Sequence, residues 1–115
     1  MKISEVVTVL DGELVCCEDK TGHEADGFAA SDLLSDILAF EQDNYVLLTG
    51  LTNLQVLRTA EITNACCVVI LRNKQPQPAM VSLARRGGIP LVLANIGMFE
   101  ACCRICRAMD RSASS

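Results

Sequence analysis

The run Cys66-Cys67-Val68-Val69-Ile70-Leu71 constrains the fold more than any other stretch of this sequence. Six apolar residues without alternation make a strand buried on both faces, and such strands belong to parallel sheets covered by helices. The flanking segments agree. Tyr45-Val46-Leu47-Leu48-Thr49 is a second apolar strand closed by Gly50, and Ile89 to Ala94 is a third. Between them lie helical patterns: Leu54, Val56, Leu57 and Ala60 after a Thr52 or Asn53 cap, then a segment opened by Pro76 and Pro78 and stopped at Gly87-Gly88.

The remaining segments extend the alternation. Ile3, Val6, Val7 and Leu10 form one helical face ended by Asp11-Gly12. Leu14-Val15-Cys16-Cys17 reads as a short strand, a polar loop follows, and Phe28-Ala29-Ala30 reads as another strand. Ser31 is placed to cap a helix through Phe40, and Asn95 to cap a last helix running to about Met109. Strands alternating with helices predict a single three-layer α/β/α domain, with a mainly parallel sheet of about four or five strands. The 115 residues make one domain over 1–110 with a frayed tail at 111–115.

Composition narrows the functional classes. With half the residues apolar, the chain is not intrinsically disordered. No apolar run reaches the roughly 18 residues that span a bilayer, and Met1-Lys2-Ile3-Ser4-Glu5 lacks a signal-peptide pattern, so the expectation is a cytoplasmic protein without a membrane partner. Three Phe, one Tyr, no Trp and a net charge of −4 argue against nucleic acid. Residues 1–44 carry eleven acidic and two basic side chains, and residues 45–115 three acidic and eight basic ones. That polarity predicts a homodimer, the acidic helix bearing Asp32 and Asp36 facing the stripe of Arg104, Arg107 and Arg111.

Seven cysteines fall as Cys16-Cys17, Cys66-Cys67 and Cys102-Cys103 with Cys106. Adjacent pairs are poor disulfide geometry, and a single C-x-x-C (Cys103 and Cys106) lacks the second pair a structural zinc site needs. Cys102, Cys103 and Cys106 share an i, i+3, i+4, i+7 stripe with Phe99, so reduced, buried packing is expected, with those three as the candidates were a metal bound. His23 is the only histidine and sits in a polar loop without a motif-placed nucleophile. Asp32 and Asp36, at i, i+4, would share the polar side of a helix and could bind a cation or serve its dipole. Ser31 and Ser35 flank no base at a recognisable spacing, so no triad can be built.

In open α/β sheets, ligands favour the crevice beyond the carboxyl ends of the strands. Those ends carry Thr49, Gly50, Thr52 and Asn53 after one strand, and Arg72 and Asn73 after the next. Helix N-termini and Arg72 there suit a small anionic ligand. Neither G-x-x-x-x-G-K-[ST] nor G-x-G-x-x-G occurs, so the site is not a known nucleotide loop.

The stretch Gly27-Phe28-Ala29-Ala30-Ser31-Asp32-Leu33-Leu34-Ser35-Asp36-Ile37-Leu38 resembles the DRTGG-domain family. The resemblance continues through Tyr45–Thr49, Asn53, the strand to Leu71 with Pro76 and Pro78, and Gly88-Ile89-Pro90-Leu91-Val92. It implies a stand-alone version of a domain otherwise attached to phosphate acetyltransferases, CBS-domain proteins and dethiobiotin-synthetase-like proteins. The implied fold is similar to the amino-terminal domain of HPr kinase/phosphorylase, and the implied role is regulatory, with no reaction and no cofactor assigned to the domain. Short relatives beside iron-hydrogenase and sensor-kinase components imply an alternative, an accessory protein for a metal or iron–sulfur system that uses its cysteines. At the family's namesake positions this chain reads Leu51-Thr52-Asn53 and Leu71-Arg72-Asn73 instead of Asp-Arg and Thr-Gly-Gly. The reading is thus a non-catalytic regulatory or interaction domain, with an enzyme that uses the strand-end loops as the least favoured alternative.

Overall fold

In the computed structural model, described here for the backbone of residues 1–114 and the side chains of 1–111, the apolar runs become the middle of one five-stranded sheet. The elements in chain order are α1 (Ile3–Val9), β1 (Glu13–Leu14), β2 (Gly27–Ala30), α2 (Leu34–Leu38), β3 (Tyr45–Thr49), α3 (Leu54–Ile62), β4 (Ala65–Ile70), α4 (Pro78–Gly87), β5 (Leu91–Leu93) and α5 (Met98–Ser114). The strand order is β1-β5-β4-β3-β2, with β2 to β5 parallel and β1 antiparallel to β5. The central strand is β4, as its unbroken apolar run requires. This is a three-layer α/β/α domain with a mainly parallel sheet.

Each step from β2 to β5 moves one strand along the sheet, so α2, α3 and α4 all return over the same face, as a common crossover hand dictates. There Ile37, Leu57 and Met80 pack on Tyr45, Leu47, Val68 and Ile70. The opposite face carries Val46, Leu48, Cys67, Val69 and Val92 beneath Ile3 and Val6 of α1, its cap Leu10, and Ala101 and Ile105 of α5. Because β1 and β2 lie at opposite edges, residues 15–26 must cross the amino-terminal end of the parallel strands. That crossing is tied down by the Ile3 N–H on the His23 carbonyl (3.0 Å) and the Asp26 N–H on the Asn44 carbonyl (2.8 Å). None of the described helices is long and apolar enough to cross a membrane.

Several boundaries differ from the sequence expectation, each for a local reason. The expected strand Leu14–Cys17 is only Glu13–Leu14, because Cys17 adopts left-handed backbone (φ 66°) and turns the chain away from β5. Ser31 does not cap α2. Its hydroxyl accepts the Leu33 N–H (3.0 Å) in a local turn, and the helix covers Leu34–Leu38 instead of reaching Phe40. Asp32 therefore precedes the helix, and the i, i+4 pairing with Asp36 does not form. Asn95 lies ahead of α5, whose first turn closes from the Ala101 N–H to the Gly97 carbonyl (3.0 Å). That helix passes Met109 to Ser114, since neither Gly nor Pro interrupts it, so the backbone of 111–114, expected to fray, continues the helix and only Ser115 lies outside the described backbone.

The cysteines are less buried than their spacing implies. Cys16 and Cys67 are core residues, Cys17, Cys66, Cys102 and Cys103 are half-buried, and Cys106 is exposed. On α5 the buried stripe is Ala101, Ile105 and Ala108, not Phe99 and the cysteines. The alanines face inward where α5 packs beside α1, and Phe99 and Cys106 are left outward. Cys66 sits where the β3–β4 register shifts: Tyr45 pairs with Ala65 but Val46 with Cys67, leaving Cys66 as the extra residue of a bulge.

Candidate functional site

The carboxyl ends of β2, β3 and β4 bring three loops together around one carboxylate. Asp32, just past β2, accepts the Gly50 N–H at 2.6 Å and the Thr49 hydroxyl at 3.2 Å through Oδ1. Its Oδ2 meets an Arg72 guanidinium nitrogen at 3.3 Å. These contacts hold the carboxyl below the usual carboxylate range: the Gly50 N–H lowers it most, partial burial opposes, and Thr49, Arg72 and Lys74 add to the lowering. A Cβ at Gly50 would meet the Arg72 guanidinium, so a larger residue there would push the arginine away from Asp32. Arg72 and Asn73 both take left-handed backbone (φ 62° and 55°), the turn that aims the arginine back over β3.

The expected ligand-binding residues thus divide. Thr49, Gly50 and Arg72 converge on Asp32. Asn53 is spent as the α3 cap, its Oδ1 accepting the Val56 N–H at 3.1 Å. The Thr52 carbonyl accepts the Gln77 N–H at 3.1 Å, tying the β3 loop to the one leading into α4. The crevice between β4 and β5, where the following helices depart to opposite faces, is closed by backbone. There the Arg72 N–H reaches the Ile96 carbonyl (2.9 Å) and the Asn73 N–H the Ala94 carbonyl (3.2 Å). Asp32 was expected only as a cation or dipole partner beside Asp36, not as the centre of this site. The signal was its place, a short acid directly after a strand end, where it can reach N–H groups of the neighbouring loop.

A second concavity of about 480 Å³ opens at the other end of the sheet, lined by Lys20, His23, Asn44, Glu61, Cys66 and Gly88 among others. His23 Nε2 is hydrogen-bonded to Asn44 Oδ1, and the Asn44 amide donates to the Glu24 carbonyl (2.8 Å), so the histidine helps hold the crossing segment. Burial pushes the Cys66 thiol up to about 11, which keeps it protonated near neutral pH and unsuited to serve as a nucleophile with His23.

The cysteines form two separate sets, with Cys67 within electrostatic reach of Cys66, Cys16 and Cys17. Cys16 and Cys17 lie with their sulfurs 3.7 Å apart and donate to the Ile89 and Ala84 carbonyls, far along the chain from Cys102, Cys103 and Cys106 on α5. Among the described residues, no group of three or more His, Cys, Asp or Glu is arranged to hold a metal ion. Arg104 of the expected basic stripe is paired within its own helix, with Glu100 at 3.1 Å.

No family model matches the sequence. No curated protein matches it either. Among solved structures, the fold is similar to the crystal structure of the CBS and DRTGG domains of the regulatory region of Clostridium perfringens pyrophosphatase, complexed with the activator diadenosine tetraphosphate. The TM-score is 0.75 at 11% identity, over 90% of this chain and 45% of that one. The chain therefore spans less than half the length of that regulatory region, and what the likeness establishes is a CBS/DRTGG-like fold.

Proposed function

We propose that this chain is a non-catalytic regulatory domain that senses a small anionic ligand at the loops ending β2, β3 and β4. The observation that carries the reading is the setting of Asp32. A backbone N–H, a hydroxyl and a guanidinium converge on one oxyanion, with Lys74 close enough to add charge. The same donors suit a phosphate or carboxylate of a ligand. Asp32 occupies them in the free protein, so a ligand anion that takes them over releases residues 31–33 and the entry to α2. Sensing then means exchange of an internal anion for an external one. The similar fold in a regulatory region complexed with a phosphate-rich activator supports this reading.

Calorimetric titration with inorganic phosphate, pyrophosphate and diadenosine tetraphosphate tests it. Arg72→Ala is expected to weaken binding of whichever anion binds. Asp32→Ala is expected to tighten it about tenfold, the equivalent of removing a competitor worth about 1.4 kcal/mol. Absence of binding by all three anions, or binding indifferent to Arg72, would overturn the proposal.

A further inference from the structure

We infer that the cavity at the amino-terminal end of the sheet binds a small zwitterion, an α-amino acid with an apolar side chain, held between Lys20 and Glu61. The inference does not depend on the anion site at the other end of the strands. The cavity holds about 480 Å³, within the range of roughly 300–1,000 Å³ usual for small-molecule sites. Its walls are the crossing segment, the loop entering β3, the α3–β4 turn and the α4–β5 turn. Ile3, Ala65 and Ile89 give it an apolar floor.

Most of its polar side chains are already engaged. His23 is bonded to Asn44, and the Asn64 amide donates to Asp43 Oδ1 at 3.2 Å. Lys20 and Glu61 are left over. Among the described residues, neither side chain makes an ion pair or a hydrogen bond, with the other or with any third group. Both border the same turn. A Cβ built on Gly87 would lie 3.4 Å from Glu61 Oε2, and one built on Gly88 would lie 4.0 Å from Lys20 Nζ. An ammonium and a carboxylate thus flank one gap without closing it.

Folding alone does not account for this arrangement. Glu61 lies in the last turn of α3, where a carboxylate meets the negative end of the helix dipole. Gly88 is a left-handed cap (φ 69°), which explains its being glycine. Gly87 is still helical and has no positive φ, and a helix disfavours glycine there. What its missing side chain does is keep the space beside Glu61 open. Departures from local preference that converge on one cavity point to a function for it. The ligand chemistry follows from the two charges. A carboxylate suits Lys20, an ammonium suits Glu61, and an α-amino acid presents both from one carbon. Its side chain is left for the apolar floor. A simple anion is repelled by Glu61 and a simple cation by Lys20, so the pair selects against either alone.

Calorimetric titration of the full chain with L-valine, L-leucine and L-methionine tests the inference. Two further probes each lack one charge of leucine: 4-methylpentanoate has no ammonium, and 3-methylbutylamine has no carboxylate. At least one of the amino acids is expected to bind, and both single-charge probes about tenfold more weakly or worse. Lys20→Ala should weaken amino-acid binding about tenfold and erase its advantage over the amine. Glu61→Gln should weaken it similarly and erase its advantage over the carboxylate. Both side chains are exposed, so both variants are expected to fold, which circular dichroism checks. Gly87→Gln, which fills the gap with a good helix former, is expected to abolish binding in a folded protein. Arg72→Ala should leave amino-acid binding unchanged, which separates this cavity from the anion site. No binding of any of the three amino acids at millimolar concentration would overturn the inference. So would single-charge probes that bind as tightly, or an affinity indifferent to both Lys20→Ala and Glu61→Gln.

Discussion

Replacing Asp32 by alanine removes an acceptor that three donors share, and its cost can be worked from their geometry. A net hydrogen bond to a charged group contributes about 1.5–3 kcal/mol when well buried. Asp32 is 42% exposed, so water competes at this site and the short Gly50 N–H contact is reduced to about 1 kcal/mol. The longer Thr49 contact adds about 0.5 kcal/mol. The Arg72 pair, half-exposed on both sides, adds about 0–0.5 kcal/mol. Asp32→Ala should therefore destabilise the fold by about 1.5–2 kcal/mol at pH 7, or about 6–8 °C in Tm for a domain of this size. Arg72→Ala should cost no more than about 0.5 kcal/mol. Because folding lowers the Asp32 pKa, the stability it contributes is complete above the unfolded value near 3.8 and is lost as pH falls through the lower folded value. Urea denaturation followed by circular dichroism at pH 7 and pH 3 checks both statements. The gap between the parent and Asp32→Ala should narrow at the lower pH. A gap below about 0.5 kcal/mol at pH 7, or one that stays constant to pH 3, would refute the reasoning.

Two further outcomes follow from the interior. Tyr45 is fully buried, with its phenol 2.6 Å from the Thr63 hydroxyl, which itself donates to the Thr59 carbonyl at 2.8 Å. Tyr45→Phe should cost about 1 kcal/mol, and Thr63→Val, which strands the buried phenol, about 2 kcal/mol. The double variant should cost less than the sum, which denaturation by circular dichroism measures, whereas full additivity would mean the pair contributes nothing. Native-state thiol labelling near pH 8 should modify Cys106 first. Cys17 and Cys66, both pushed up to about 11 chiefly by burial, should react slowly, and Cys16 and Cys67 only on unfolding. Rapid labelling of Cys67 in the folded protein would contradict its place in the core.

The sheet was legible because a parallel central strand has no polar face to hide: Val68, Val69 and Ile70 are all fully buried, and the pattern says so directly. Helix α4 was equally legible from Pro78 at its start and Gly88 at its left-handed end. The failures lie where two local preferences compete. Ser31 is as good a turn residue as a cap, and only the reach of Asp32 to Gly50 decides which it becomes. On α5, one-dimensional spacing offers two apolar stripes and does not say which one meets the sheet. Ala101, Ile105 and Ala108 are the buried ones, where α5 packs beside α1, a choice made by tertiary packing. Of the candidate site, Thr49, Gly50 and Arg72 were readable from strand ends. Asp32 was not, since its role depends on β2 lying beside β3, a neighbour relation invisible along the chain.

The central claim is that the donors around Asp32 exchange it for a ligand anion. Backbone amide shifts during titration with pyrophosphate test this most directly. The account predicts that the Gly50 amide moves first and furthest, accompanied by Asp32 and Leu33 as their segment is released. Residues lining the opposite cavity, such as Lys20, His23 and Gly88, should stay in place. Shifts confined to that cavity, or a Gly50 amide that does not move while the anion binds, would contradict it.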